Sequence, residues 1–192
     1  MATNGAGSMP ATAGMAPQRT YATGMGVALC GVLMFFMALV SAYIVRKGFS
    51  NDWQPLEIPR VLWLSTLILL ASSFTIVRAR NRLLASDDAR FRRWWGITAI
   101  LGIFFLVGLG VSWRQLAVGG IGVATNPSTS FFYVLTAAHG LHLLGGLGAL
   151  IAIAFRAPRH LTRETATKVA SIYWHAMNGL WLLLFVFLMV ER

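Results

Sequence analysis

Charged positions along this chain fall in clusters, and between them lie long blocks with none. Five stretches contain no Asp, Glu, Lys or Arg: residues 21–45, 61–77, 94–113, 131–155 and 169–190. A bilayer core about 30 Å thick is crossed by about 20 helical residues, with about 17–25 tolerated. Each block therefore predicts a membrane-spanning helix. The second is the shortest and gains its missing length from its flanks, where Pro59 suits a helix start because its absent N–H costs nothing there. Open sheet edges are not tolerated in hydrocarbon. The predicted fold class is all-α, an integral membrane bundle of five transmembrane helices near 21–45, 59–78, 94–114, 131–155 and 169–190. Residues 1–20, rich in small, polar, Gly and Pro positions, predict a disordered tail ahead of this 21–192 domain.

Composition sharpens the picture. Of 192 residues, 57% are hydrophobic and 11% charged, against about 45–50% and about 25% in soluble domains. The excess of 16 Lys+Arg over 6 Asp+Glu could suggest nucleic acid, but the basic residues border apolar blocks instead of forming amphipathic faces. They act as an orientation signal. The tail and the second and fourth inter-block segments carry eleven Lys/Arg, and the other side five. The positive-inside rule then predicts a cytoplasmic N-terminus and a periplasmic C-terminus. Trp53, Trp63, Trp94, Trp95 and Trp113 stand near block ends, where amphipathic rings favour the headgroup layer. Arg78, Arg80 and Arg82 are candidate grips for lipid headgroups, each contributing on the order of 1 kcal/mol near an anionic surface, and serve equally well as topology signals. Cys30, the single cysteine, has no intramolecular disulfide partner.

Chemistry inside the blocks rests on few residues, because intramembrane charges, the usual mark of ion and proton pathways, are missing. In the fourth block His139, His142, Gly146 and Ala149 recur at steps of three or four and share one face with small residues, which allow close helix contact. In the fifth, Ser171, His175 and Asn178 form a polar stripe. At about 1.5 Å per residue, His142 and His175 differ in depth by roughly 10 Å, a poor geometry for paired axial ligation. His139 and His142 alone fall short of an ordinary metal coordination set. They are expected to be hydrogen-bonded packing residues, with partners among Ser41, Tyr43, Ser65, Thr66 and Ser112. By the same depth argument Ser171, His175 and Asn178 should meet Ser72, Ser73 or Thr75. No phosphate-loop, dinucleotide or metal-protease motif occurs, and the glycine-rich segment 119–126 is a linker.

Five local strings, in order, carry a resemblance. YWHAMNGLWLLLF (173–185) is similar to the YWHFVD-type signature of subunit III of haem–copper oxidases, the cytochrome c oxidase type. FFYVLTAAHGLHLLGG (131–146), WLSTLILLASS (63–73), LGIFFLVGLGVSW (101–113) and MFFMALVSAYIVR (34–46) resemble the other helices of that family in its short, five-helix bacterial form. The departures are consistent: Val32, Leu109, Ser112 and Asn178 occupy positions where the family carries Glu, Gln, Glu and Asp. An Asn can orient a neighbour but cannot ionise.

The resemblance implies a non-catalytic subunit of the bacterial inner membrane that packs on catalytic subunit I, encloses phospholipid and supports proton uptake, with haem and copper in partner subunits and no cofactor, metal or catalytic residue of its own. It singles out His139, His142, Gly146, Tyr173, Trp174, His175, Asn178 and Trp181 as packing positions. An accessory subunit of a nitric oxide reductase is the alternative within the superfamily. A haem-binding membrane cytochrome using the three helical histidines is the alternative of another class, and a transporter is disfavoured by the missing charges.

Overall fold

The computed structural model describes residues 15–49, 53, 59–155 and 163–191. Five helices follow one another: α1 (Met15–Phe49), α2 (Arg60–Leu84), α3 (Asp88–Val118), α4 (Pro127–Phe155) and α5 (Arg163–Val190). All five are long and apolar enough to cross a membrane, and no strand occurs among the described residues.

Each helix outruns its charge-free block, because the block marks only the hydrocarbon span while hydrogen bonding continues into the headgroup layer. α1 already begins at Met15, so residues 15–20 are helical and not part of an irregular tail. The rest of the expected tail, residues 1–14, lies outside the described residues, as do Arg156 and Arg159.

Local chemistry sets the ends. The α2–α3 connection is three residues long. Ser86 N–H donates to Leu83 O and Asp87 N–H to Arg82 O, both at 3.0 Å, which closes the last turn of α2 with Ser86 in a left-handed conformation at φ 57. Asp87 then caps α3 by accepting from Arg90 N–H at 3.1 Å. At the far end of α3 the same closure recurs with Gly120 at φ 79, and Ile121 N–H reaches Leu116 O at 2.9 Å. Asn126 Oδ1 accepts from Thr129 N–H at 3.0 Å at the start of α4, with Pro127 as its first helical residue.

The helices run up and down. α2 and α3 form an antiparallel pair bridged by the Thr75 and Thr98 hydroxyls at 2.8 Å. α3 and α4 are joined by Trp95 Nε1–H donating to Leu150 O at 2.8 Å and Trp113 Nε1–H donating to Thr136 Oγ1 at 3.1 Å. Trp95 is thus buried between helices. α5 packs against α1, α2 and α4, while α1, among the described helices, packs against α4 and α5. Its tie lies at the C-terminal ends of both α1 and α5. There Lys47 Nζ meets Glu191 Oε2 at 2.9 Å, and Tyr43 packs edge-on against Phe131, Phe187 and Trp53. Toward the N-terminal end of α1 the helices part. A cleft of about 700 Å³ opens there between α1, α4 and α5, lined mainly by Gly and Ala, among them Gly24, Ala28, Gly146, Ala149 and Ala170.

Candidate functional site

The signature residues of α5 meet on its buried face. Trp174 is fully buried. Its ring occupies a slot left by two glycines: a Cβ on Gly102 would stand 2.7 Å from Trp174 Cη2, and one on Gly146 would stand 3.6 Å from Cε3. Its Nε1–H donates to Ser72 Oγ at 2.9 Å. One indole therefore joins α2, α3, α4 and α5. One turn later Asn178 Nδ2–H donates to Ser73 Oγ, and Trp181 Nε1–H donates to Thr66 Oγ1 at 3.0 Å. On the flank toward α4, Tyr173 O–H donates to the backbone carbonyl of His142 at 2.8 Å. The Tyr173 ring covers Gly146, where a Cβ would meet its Cε1 at 2.8 Å.

These bonds have a common logic. Trp, Tyr and Asn carry donors that a membrane interior cannot satisfy, and the two indoles use hydroxyls, Thr66 and Ser72, that already donate backward along their own helix. Thr66 Oγ1 donates to Leu62 O at 2.8 Å and Ser72 Oγ to Leu69 O at 2.6 Å. A hydroxyl has one proton and two lone pairs, so both roles are filled at once.

The histidines depart from the sequence expectation. His139 is fully buried, and neither ring nitrogen has a hydrogen-bond partner. Instead it sits in an aromatic cage, 4.9 Å from Trp181, 5.8 Å from Phe105 and 6.4 Å from Phe36 between ring centroids. Of the hydroxyls expected to serve it, four bond elsewhere, Ser65 to Val61 O, Thr66 to Leu62 O, Ser112 to Gly108 O and Tyr43 to Glu191 O, and Ser41 is exposed on α1. His142 turns Nδ1 to Ala138 O at 2.8 Å, within its own helix, and packs on Phe35 and Phe36.

On α5 the expected stripe splits. Ser171 and Asn178 are buried, Ser171 bonding Thr167 O on its own helix at 2.8 Å, whereas His175 is exposed. His175 stands 40–60° around the helix from those two at about 100° per residue, and the burial boundary passes through that arc. The three helical imidazoles therefore do not converge. Thr75 also departs, pairing with Thr98 on α3 instead of with α5.

Arg78 and Arg80 are exposed on α2 and Arg82 half-buried. Arg78 lies over the Phe74 ring at 4.5 Å. None of the three lines the cleft between α1, α4 and α5. Two features escaped the sequence reading: the indole-to-hydroxyl ladder from α5 to α2, and the glycine pair Gly102 and Gly146 that seats Trp174. The ladder was signalled by Trp174 and Trp181 seven residues apart facing Ser72 and Thr66 six apart.

Taken together, five antiparallel spans sealed by indole, amide and hydroxyl pairs define a multi-pass helical membrane protein. A family model described as cytochrome c oxidase subunit III matches residues 7–190, and the chain belongs to that family. Similar proteins include cytochrome c oxidase subunit 3 of Synechocystis sp., 32% identical over 81% of this chain and 72% of its own length. The namesake protein of Thermostichus vulcanus is 32% identical over 87% and 85%. A probable cytochrome c oxidase subunit 3 of Nocardia farcinica is 34% identical over 82% and 81%.

Proposed function

We propose that this chain is the non-catalytic subunit III of a bacterial haem–copper terminal oxidase in the inner membrane. Family membership over residues 7–190 supports its association with the other oxidase subunits. Within that assembly it packs on catalytic subunit I, leaves haem and copper to its partners, and supports proton uptake by holding the complex together and keeping lipid in place. The observation that carries this reading is the use made of the signature side chains: Trp174, Asn178, Trp181 and Tyr173 all spend their donors on neighbouring helices. Side chains already used to hold a bundle are not free for redox chemistry. Lipid binding is supported by the glycine- and alanine-lined cleft between α1, α4 and α5, whose apolar walls and volume suit acyl chains.

Affinity purification of the tagged chain in mild detergent tests this. The expected eluate contains the other oxidase subunits and their haem absorption. A chain recovered alone, with its own porphyrin or metal, overturns the assignment. Mass spectrometry of retained lipid tests the cleft: Ala149→Phe and Ala170→Phe should reduce bound phospholipid, and Arg78→Gln, Arg80→Gln and Arg82→Gln should leave it unchanged.

A further inference from the structure

His175 is exposed on α5, and its imidazole makes no hydrogen bond among the described residues. It lies roughly 10 Å deeper along the helix than Lys168, which stands on nearly the same face. Ionisable groups at such depth ordinarily turn into a bundle or pair with a partner. Among the described residues His175 does neither.

Its surroundings are built for a helix. On α5, His175, Gly179 and Val186 follow one another at steps of four and seven, all exposed, with Gly179 at the edge of a groove shared with Leu29 and Leu33 of α1. On α2, Trp63, Leu70 and Val77 repeat every seven residues and are 51%, 40% and 43% exposed. Trp63 stacks edge-on against Phe185 of α5 at 4.9 Å, which places both rows on one flank. The Asn178–Ser73 bond fixes the register of these antiparallel helices. Moving from it toward the N-terminal end of α1, α5 reaches His175 and α2 reaches Arg80, seven residues after Ser73 and on the same helical face. One imidazole and one guanidinium thus stand at the end of an apolar seam of the α2–α5 flank.

We infer that this α2–α5 flank is where a transmembrane helix of another oxidase subunit docks, and that this helix presents a carboxylate to His175 and Arg80. Charge complementarity selects an acidic partner over a second copy of this chain, which has no Asp or Glu inside its charge-free blocks to offer. The inference rests on the subunit assignment above and specifies which face performs it.

Two measurements on the full chain in its native membrane test it. In a Cys30→Ser background, Val77→Cys and Val186→Cys should cross-link to another oxidase subunit with a short bifunctional thiol–amine reagent, and Phe104→Cys and Leu141→Cys, exposed on α3 and α4, should not. Adducts from the α3 and α4 positions alone overturn the docking face. Second, His175→Leu should lower at least tenfold the amount of other subunits recovered with the chain at raised detergent, and His175→Gln should restore most of it. Recovery of His175→Leu at the wild-type level means an imidazole facing lipid and overturns the carboxylate contact. Absence of other subunits from the wild-type eluate instead overturns the subunit assignment itself.

Discussion

At the scale of single residues, Trp174 and His139 show opposite solutions to placing a polar ring in an apolar interior. Trp174 has its one donor satisfied and its faces set against Gly102 and Gly146. Gly102→Ala should therefore destabilise the protein by about 1–3 kcal/mol through overpacking, read as a lower thermal midpoint in detergent. The methyl would stand 2.7 Å from a ring held by four helices. His139 keeps two unpartnered nitrogens in a cage of rings, an arrangement costing about 1–3 kcal/mol where the group has no compensation. His139→Leu, close in volume and wholly apolar, should raise the midpoint; a fall would mean that ring-edge contacts to Trp181 and Phe105 already offset that cost. Sequence spacing told that His139 faces inward, since small residues share its stripe. It did not tell that the nearby hydroxyls were already committed, because a Ser or Thr bonding its own preceding turn looks the same in sequence as a free one.

Among the elements, the α2–α3 hairpin and the hold on α1 differ most. Ser86 is the positive-φ non-glycine residue of the described chain, in a conformation that costs L-residues roughly 1–2 kcal/mol. Ser86→Gly should recover about 1 kcal/mol of that, seen as a raised unfolding midpoint. α1 depends on its far end: Lys47 and Glu191 are about a third exposed, so their pair is screened and worth about 0.2–1 kcal/mol. Glu191→Gln should produce a loss of that small size, smaller still at high salt, and speed protease access to the segment after Phe49. The five elements were legible because hydrocarbon forbids backbone outside helices, so charge-free length alone identifies them. Their facing was less so. In lipid both sides of a helix are apolar, and the arc separating Ser171 and Asn178 from His175 carries no polarity contrast to mark which side meets protein.

For the whole molecule, the five spans place the start of α1 and the end of α5 on opposite sides of the bilayer. The excess of Lys and Arg on the side of α1's start predicts that side to be cytoplasmic. Alkaline phosphatase fused after Glu191 or within 119–126 should be active, and fused after Ala85 inactive; the reverse pattern would refute the orientation. The family was legible from five short strings in order, and the match over residues 7–190 gives the same family. The cleft was not, since it arises from which helices part, a property of the assembled bundle and not of any one segment.

The restriction of α1 to contacts with α4 and α5 bears on how the chain is made. Of the five helices α1 leaves the ribosome first, yet the two described helices it packs against leave it last. Through most of translation α1 must therefore persist in the bilayer as a solitary span, held by its own apolarity, while α2 and α3 insert and pair. Only when α4 and then α5 arrive does α1 find its seat, so a nascent chain halted before α4 should leave α1 free to be bound by insertion chaperones or lost to membrane proteases.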